Sequence, residues 1–303
     1  HSTDGTTDLV RQYAPQATYP IRLLELRHHP DGLPADGAFK KQGITWAVGQ
    51  AVGDLIATTD GDCTVPPGWL GALADCYRTE NAVMVCGAVT FAPLRETAFS
   101  RLQAVEFSSL VASGAATLRL GVPTMCNAAN LSFARAVFLA VGGYRDTASA
   151  ATGDDLFLMH KLHKAYGGRV RFLKNPAAVV RTLPQPDAAG FYQQRKRWAS
   201  KWHLYRDWRV TALAVFVFLC NIGVVAALPL AAGGWLPWGA LGTGLALRWA
   251  AEWLFVGTAL RFLGKNALLP WMLLAQVVYP FYIVFFGLAA QRKGYRWKGR
   301  DLS

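Results

Sequence analysis

The chain has 303 residues, of which 52% are hydrophobic and 17% charged, with 31 Lys and Arg against 19 Asp and Glu. This length allows one or two domains with a sizeable core, and the charged fraction is low for a soluble protein. Five scattered cysteines without a CxxC pair argue against a disulfide framework or a zinc site. The net charge of +12 indicates an anionic partner, which could be nucleic acid, anionic lipid or a phosphorylated substrate.

Up to about residue 190, short apolar runs alternate with helical stretches and Gly/Pro turns, which predicts an α/β domain with a mainly parallel sheet. The first predicted elements are a strand over 21–26, a helix over 39–52, a buried strand over 55–59, a helix over 69–79 and a strand over 83–90. Lys40 and Lys41 at the start of the first helix are interpreted as surface residues, with phosphate binding as the alternative.

The second part of the chain is predicted to anchor the protein in a membrane. Seventeen of the nineteen acidic residues lie at or before Asp207. The stretches 210–232 and 267–290 carry no charge, and each is long enough for the roughly 20 residues that cross a bilayer.

Between these two stretches, residues 235–260 are equally apolar except for Arg248 and Glu252, which are four apart on one helix face and could pair. Three crossings would place the basic tail 292–300 outside the cell, against the positive-inside tendency. We therefore favour a re-entrant or interfacial middle segment.

Two aspartates separated by one glycine follow the predicted strand 55–59. In a strand that continued through them, the side chains of Asp60 and Asp62 would project to the same side, at the end where open α/β sheets bind ligands. A divalent cation would offset the paired charge and bridge to phosphate oxygens. A solvated acidic turn explains the same residues, so the motif alone does not distinguish a metal site from a surface turn.

A second acidic pair precedes a stretch with helical periodicity. In one interpretation Thr152 or Asp154 caps that helix. In the other, Asp155 takes a proton from an acceptor hydroxyl and Asp154 orients the acceptor.

A third cluster lies in residues 193–202, where Gln194, Arg197 and Trp198 fall at i, i+3 and i+4 on one helix face. A planar guanidinium suits a diphosphate, and an indole suits stacking on a sugar ring. A basic, Trp-bearing helix ahead of an apolar span is also typical of an interfacial anchor.

In this order, the three clusters resemble the membrane-bound family 2 glycosyltransferases, whose relatives include cellulose, chitin and hyaluronan synthases and ceramide glucosyltransferases. The resemblance covers nearly the whole chain. The stretches that carry it are 40–47 with 53–63, 126–133 with 141–144, Gly-Asp-Asp at 153–155 and Gln-x-x-Arg-Trp at 194–198.

The resemblance implies a GT-A fold, a Rossmann-like mostly parallel sheet with helices on both faces. It also implies an inverting displacement in which an acceptor oxygen attacks the anomeric carbon opposite the departing diphosphate. The implied roles are Asp60, Asp62, Gln194 and Arg197 for the nucleotide diphosphate, Asp62 and Asp60 for a divalent metal (Mg²⁺ or Mn²⁺), Asp155 as general base, and Asp154, Asn130 and Trp198 on the acceptor side.

On this interpretation, residues 1–190 form the catalytic domain, 191–209 an amphipathic interfacial helix, and 210–303 a transmembrane region with a basic tail. We expect a nucleotide sugar donor, UDP-linked, and a lipid or lipid-linked saccharide acceptor. We also expect an integral protein of the inner or plasma membrane, in contact with membrane lipid, whose catalytic domain is cytoplasmic. A processive polysaccharide synthase and a catalytically silent scaffold remain alternatives. Nucleic acid is not an expected partner, because the basic residues flank apolar spans instead of forming a groove interleaved with aromatics.

The first six residues resemble the family segment that directly follows an aspartate contacting the uracil ring. That aspartate and the first strand lie outside this sequence, and a strand–helix unit is roughly 30 residues. We therefore expect residues 1–303 on their own to be inactive or to fold poorly.

Overall fold

The computed structural model describes residues 4–33, 38–145, 153–200, 207–291, 294–297 and 300–302. The helices are α1 (Thr6–Tyr13), α2 (Phe39–Gln50), α3 (Trp69–Glu80), α4 (Ala98–Arg119), α5 (Arg135–Ala140), α6 (Asp154–Tyr166), α7 (Ala188–Ala199), α8 (Trp208–Ala232), α9 (Trp238–Phe262) and α10 (Trp271–Ala289). The strands are β1 (Leu55–Thr58), β2 (Met84–Gly87), β3 (Val89–Phe91), β4 (Leu131–Ala134), β5 (Val170–Leu173), β6 (Val180–Thr182), β7 (Tyr295–Trp297) and β8 (Arg300–Leu302).

The α/β class is confirmed, with a mixed sheet in place of the mainly parallel one that was predicted. The strand order is β1-β4-β2-β5; β4 is antiparallel to β1 and β2, while β5 is parallel to β2. The direction changes because β4 enters the sheet where β1 and β2 end, with Leu131 opposite both Thr58 and Cys86. Strands β3 and β6 form a separate parallel pair.

Three strand predictions need correction. Residues 21–26 form no strand; Glu25 there pairs with Arg11 of α1 and with Arg27, and a short 3₁₀ turn follows at Leu26–His28. The predicted strand 83–90 divides at Ala88 between the two sheets. The predicted buried strand 55–59 is β1, an edge strand with exposed and half-buried residues, because β4 is its one partner among the described strands.

Helices cover both faces of the sheet, and β2 divides the core between them. Val85 belongs to a cluster with Leu73 of α3 and Val105 of α4, whereas Met84 belongs to a second cluster with Met159 of α6. This alternation is that of a strand buried on both faces.

The side chain of Asn130 joins three segments at the end of β2. Its Nδ2 donates to the carbonyls of Ala88 (2.8 Å) and Ala178 (2.7 Å), and its Oδ1 accepts from Nε1 of Trp69 (2.9 Å). Asn130 is fully buried, so these bonds satisfy polar atoms that water cannot reach. They require a glycine at position 87, where an added Cβ would lie 2.3 Å from the Asn130 amide.

Helices α8 and α10 match the two uncharged stretches of the sequence, and both are long and apolar enough to cross a membrane. Between them, α9 runs unbroken for 25 residues and is not one of the two described helices that meet this criterion, so a re-entrant or interfacial middle segment stays a prediction. The expected pair on α9 is present, with Nε of Arg248 2.7 Å from Oε1 of Glu252. Nη2 of Arg248 also donates to Oδ1 of Asn221 on α8.

The apolar helices pack directly on the α/β domain through α4. Leu260 of α9 and Met272 of α10 are buried in the same cluster as Val105 and Phe107 of α4. The core of the α/β domain is therefore continuous with the helical region, and α4 links the two.

We predict that Gly87→Ala lowers the unfolding temperature. The new methyl group meets an amide that three hydrogen bonds hold in place, and overpacking of this kind costs about 1–3 kcal/mol. Gly71→Ala is the matched control: this glycine lies in α3 with nothing within 4 Å of an added Cβ, and alanine there should be neutral or stabilising. Thermal unfolding of both variants in detergent measures the difference, and equal stability of the two would contradict the role of Asn130 as a rigid joint.

Candidate active site

One cleft of about 2550 Å³ opens beyond the carboxyl ends of β1 and β2 and continues between α4, α7, α8 and α10. All but one of the site residues proposed from the sequence line it, namely Asp60, Asp62, Asp154, Asp155, Gln194, Arg197 and Trp198. The exception is Asn130. Three clusters that lie far apart in the sequence therefore share one cavity.

Asp60 and Asp62 lie in a turn and not in a continuing strand. β1 ends at Thr58, and the backbone N–H of Cys63 donates to the carbonyl of Asp60 (3.1 Å). The alternation expected from a strand does not apply here, and the two carboxylates differ in environment. Asp60 is half-buried and accepts a hydrogen bond from Nζ of Lys40 (2.8 Å), whereas Asp62 is exposed at the cleft.

Lys40 connects the first acidic cluster to the second. Its Nζ also lies 3.6 Å from Oδ2 of Asp154. Burial lowers the pKa of Lys40, but the carboxylates of Asp154 and Asp60 together raise it by more than burial lowers it. The pKa therefore lies above its ordinary value. The amine is therefore charged at neutral pH. The surface interpretation is wrong for Lys41, which is buried with its Nζ 5.5 Å from the ring centre of Phe157. The side chain of Lys40 is 36% exposed and lines the cleft.

Backbone donors hold Asp155 at the start of α6. Its Oδ1 accepts from the N–H of Leu156 (2.8 Å), and its Oδ2 accepts from the N–H of Ala128 (3.2 Å). The helix N-terminus also favours negative charge at this point. Gly153 occupies the N-cap position without a side-chain bond, so Asp154 does not cap the helix, and Thr152 lies outside the described residues.

Helix α7 presents Gln194, Arg197 and Trp198 to the cleft, and its N-cap is Asp187, whose side chain accepts from the N–H of Gly190 (2.7 Å). Oε1 of Gln194 accepts from Nη1 of Arg195, and the Trp198 ring lies 5.9 Å from that of Phe107 on α4. Gln194 and Trp198 therefore pack against protein groups.

The structure corrects the assignment of Asn130 to the acceptor side. Its amide is fully buried and bonded to Trp69, Ala88 and Ala178, as described above, so it contributes no side chain to the cleft. The same loop does contribute through Ala128, whose N–H bonds Asp155. Asn130 therefore acts on the site by fixing the loop.

The donor set at Asp60 and Asp62 suits a metal ion that is bound together with a phosphate group. Among the described residues, no group of three or more His, Cys, Asp and Glu side chains is placed to hold a metal ion. Mg²⁺ needs only one or two carboxylates when substrate phosphates and water complete its coordination. Asp62 and Asp60 meet this requirement, with the ammonium of Lys40 competing for Asp60.

Comparison with known proteins gives one family. The family model described as glycosyl transferase family group 2 matches residues 55–279, a stretch that includes every site residue proposed from the sequence. No curated protein sequence matches the chain significantly. Among solved structures, the chain is similar to a crystal structure of S. aureus TarS 1–349 in complex with UDP, with 14% identity over 99% of this chain and 83% of that chain and a TM-score of 0.40.

We predict that Lys40→Met tightens the binding of Mn²⁺ by the protein alone. The variant removes the cation that competes for Asp60, and a hydrogen bond to a charged group is worth about 1.5–3 kcal/mol, so the half-saturating Mn²⁺ concentration should fall by roughly tenfold or more. Thermal-shift titration with Mn²⁺ measures this. Lys174→Met, at an exposed lysine outside the cleft, is the control and should match the wild type; weaker binding by Lys40→Met would contradict the metal assignment.

Proposed function

The chain belongs to glycosyl transferase family group 2. We propose that it transfers a sugar from a UDP-linked nucleotide sugar to a lipid or lipid-linked saccharide in a membrane. One observation carries this proposal. A single cleft contains the carboxylates of Asp60, Asp62 and Asp155 together with Arg197, and it continues along the apolar helices α8 and α10.

The donor diphosphate would bind between the turn after β1 and helix α7. Arg197 supplies a planar cation that suits a diphosphate, and Gln194 supplies an amide on the same face of the helix. Asp62 and Asp60 would hold a divalent cation. When bound, this cation neutralises charge on the diphosphate. Arg197 adds positive charge where negative charge develops on the leaving group.

Asp155 is suited to act as the general base. The N–H groups of Ala128 and Leu156 fix its carboxylate within the cleft. In the proposed reaction, Asp155 accepts the proton of the acceptor hydroxyl while that oxygen bonds to the anomeric carbon and the bond to the diphosphate oxygen breaks. Attack from the face opposite the leaving group inverts the configuration. Asp154 and Trp198 would orient the acceptor.

The wall of the cleft favours an acceptor with an apolar chain. Beyond the carboxylates the lining becomes Val111 of α4, Phe218 of α8, and Ile283 and Phe286 of α10. Only 6% of the most apolar stretch of α8 is buried within the protein. An uncovered apolar surface of this length is favourable in lipid and unfavourable in water.

The location of the basic residues supports a cytoplasmic catalytic domain. Six Lys and Arg and one acidic residue lie within positions 190–209, up to and including the first turn of α8. The positive-inside tendency places such a segment on the cytoplasmic side, where nucleotide sugars would be available to the cleft.

We predict that Asp155→Asn in the full-length protein lowers kcat by about 10²–10⁴-fold, the usual contribution of a general base. Donor binding should persist, because the amide keeps the shape of the side chain and leaves Asp60, Asp62 and Arg197 in place. Sugar transfer to extracted lipid, with donor binding by thermal shift, tests both statements. Asp75→Asn, an exposed carboxylate on α3 outside the cleft, is the control.

If Asp155→Asn turns over as fast as the control, Asp155 is not the general base. The same assay separates single transfer from processive synthesis by product length. One added sugar supports the proposal, and a ladder of products supports a polysaccharide synthase.

A further inference from the structure

A buried ion pair lies where α7 crosses α4 and α10. Nε and Nη2 of Arg195 donate to Oε1 and Oε2 of Glu106, and the side chains are only 2% and 9% exposed. The hydroxyl of Tyr282 on α10 donates to the same Oε1 (2.9 Å). Three helices that are distant in sequence thus meet at one carboxylate.

This ion pair is not explained by stability alone. Removing two charges from water carries a large desolvation penalty, and well-packed apolar residues in place of a buried pair are often equally stable or more so. A bidentate pair differs from an apolar contact in fixing distance and direction. The ion pair therefore fixes the position of the Arg195 guanidinium and, through it, the orientation of the side chains that contact it.

Arg195 contacts two side chains of the cleft. Its Nη1 donates to Oε1 of Gln194, and its guanidinium lies 4.4 Å from the ring centre of Trp198. The ring of Phe191 is also 4.4 Å away. The guanidinium thus packs against the rings of Trp198 and Phe191 while its N–H groups are directed to Glu106 and Gln194. A movement of Arg195 would move both Gln194 and Trp198.

We propose that Glu106, Arg195 and Tyr282, here called the Arg195 cluster, are positioning residues that set the orientation of Gln194 and Trp198 and thereby couple helix α10 to sugar transfer. The proposal rests on the proposed function for its catalytic consequence. Its structural part, that the cluster fixes α7 on α4 and α10, stands on the contacts alone. All three residues lie in the wall of the cleft, and the N–H groups of Arg195 are directed to Glu106 and Gln194.

The main test is the double variant Glu106→Met with Arg195→Met in the full-length protein. Removing both charges should restore the unfolding temperature lost in Arg195→Met alone, because no uncompensated charge remains. Backbone hydrogen exchange over residues 188–199 should nevertheless be faster than in the wild type. A displacement of about 1 Å can cost roughly a hundredfold in turnover, so kcat should fall by about that factor, and the donor KM should rise because Gln194 would contact the diphosphate.

Tyr282→Phe gives a milder test that does not disturb packing. It removes one hydroxyl from Glu106 and should change exchange and kcat in the same direction by a smaller factor. Tyr166→Phe is the control, because this tyrosine is half-buried at the end of α6 and lies outside the cleft. It should behave as the wild type.

The readouts separate the two levels of the proposal. Exchange over residues 188–199 that stays at the wild-type rate in the double variant would overturn the positioning role, as would full recovery of kcat together with stability. If the wild-type protein transfers no sugar, the proposed function fails. The exchange measurement then decides the positioning role by itself, with faster exchange in the double variant supporting it and unchanged exchange refuting it.

Discussion

The site depends on how carboxylates are compensated when several of them face one cleft. Lys40 offsets Asp60 and Asp154 with one ammonium, 2.8 and 3.6 Å away. Asp155 is compensated differently, by backbone N–H groups and the start of a helix. The charge of Asp155 also contributes to the raised pKa of Lys40, after the larger contributions of Asp154 and Asp60. In the proposed function, Asp60 would exchange the ammonium for a metal ion, and Asp155 would accept the proton of the acceptor hydroxyl.

The α/β domain and the apolar helices form one structure because α4 belongs to both. One side of α4 completes the core against the sheet, and Leu260 and Met272 from the helical region join that core. The cleft follows the same helix from the carboxylates to the apolar wall. In the proposed function, a donor held by charges and an acceptor held by an apolar surface would meet along α4.

Buried polar side chains determine the shape of the site at two points. Asn130 fixes the loop that orients Asp155, and the Arg195 cluster fixes the helix that carries Gln194 and Trp198. Neither needs to touch a substrate. Buried polar networks of this kind specify one arrangement because each alternative leaves a donor or acceptor unsatisfied.

Local composition and short spacing are enough to predict the α/β class, the two uncharged helices, and the shared helix face of Gln194, Arg197 and Trp198. The mixed direction of the sheet, the burial of Asn130, and the contacts of Lys40 and Arg195 depend on how distant segments pack. Lys40 meets Asp60 across 20 residues, and Arg195 meets Glu106 across 89. Periodicity describes which face a side chain occupies on its own element, whereas the partner on another element depends on how the whole chain packs.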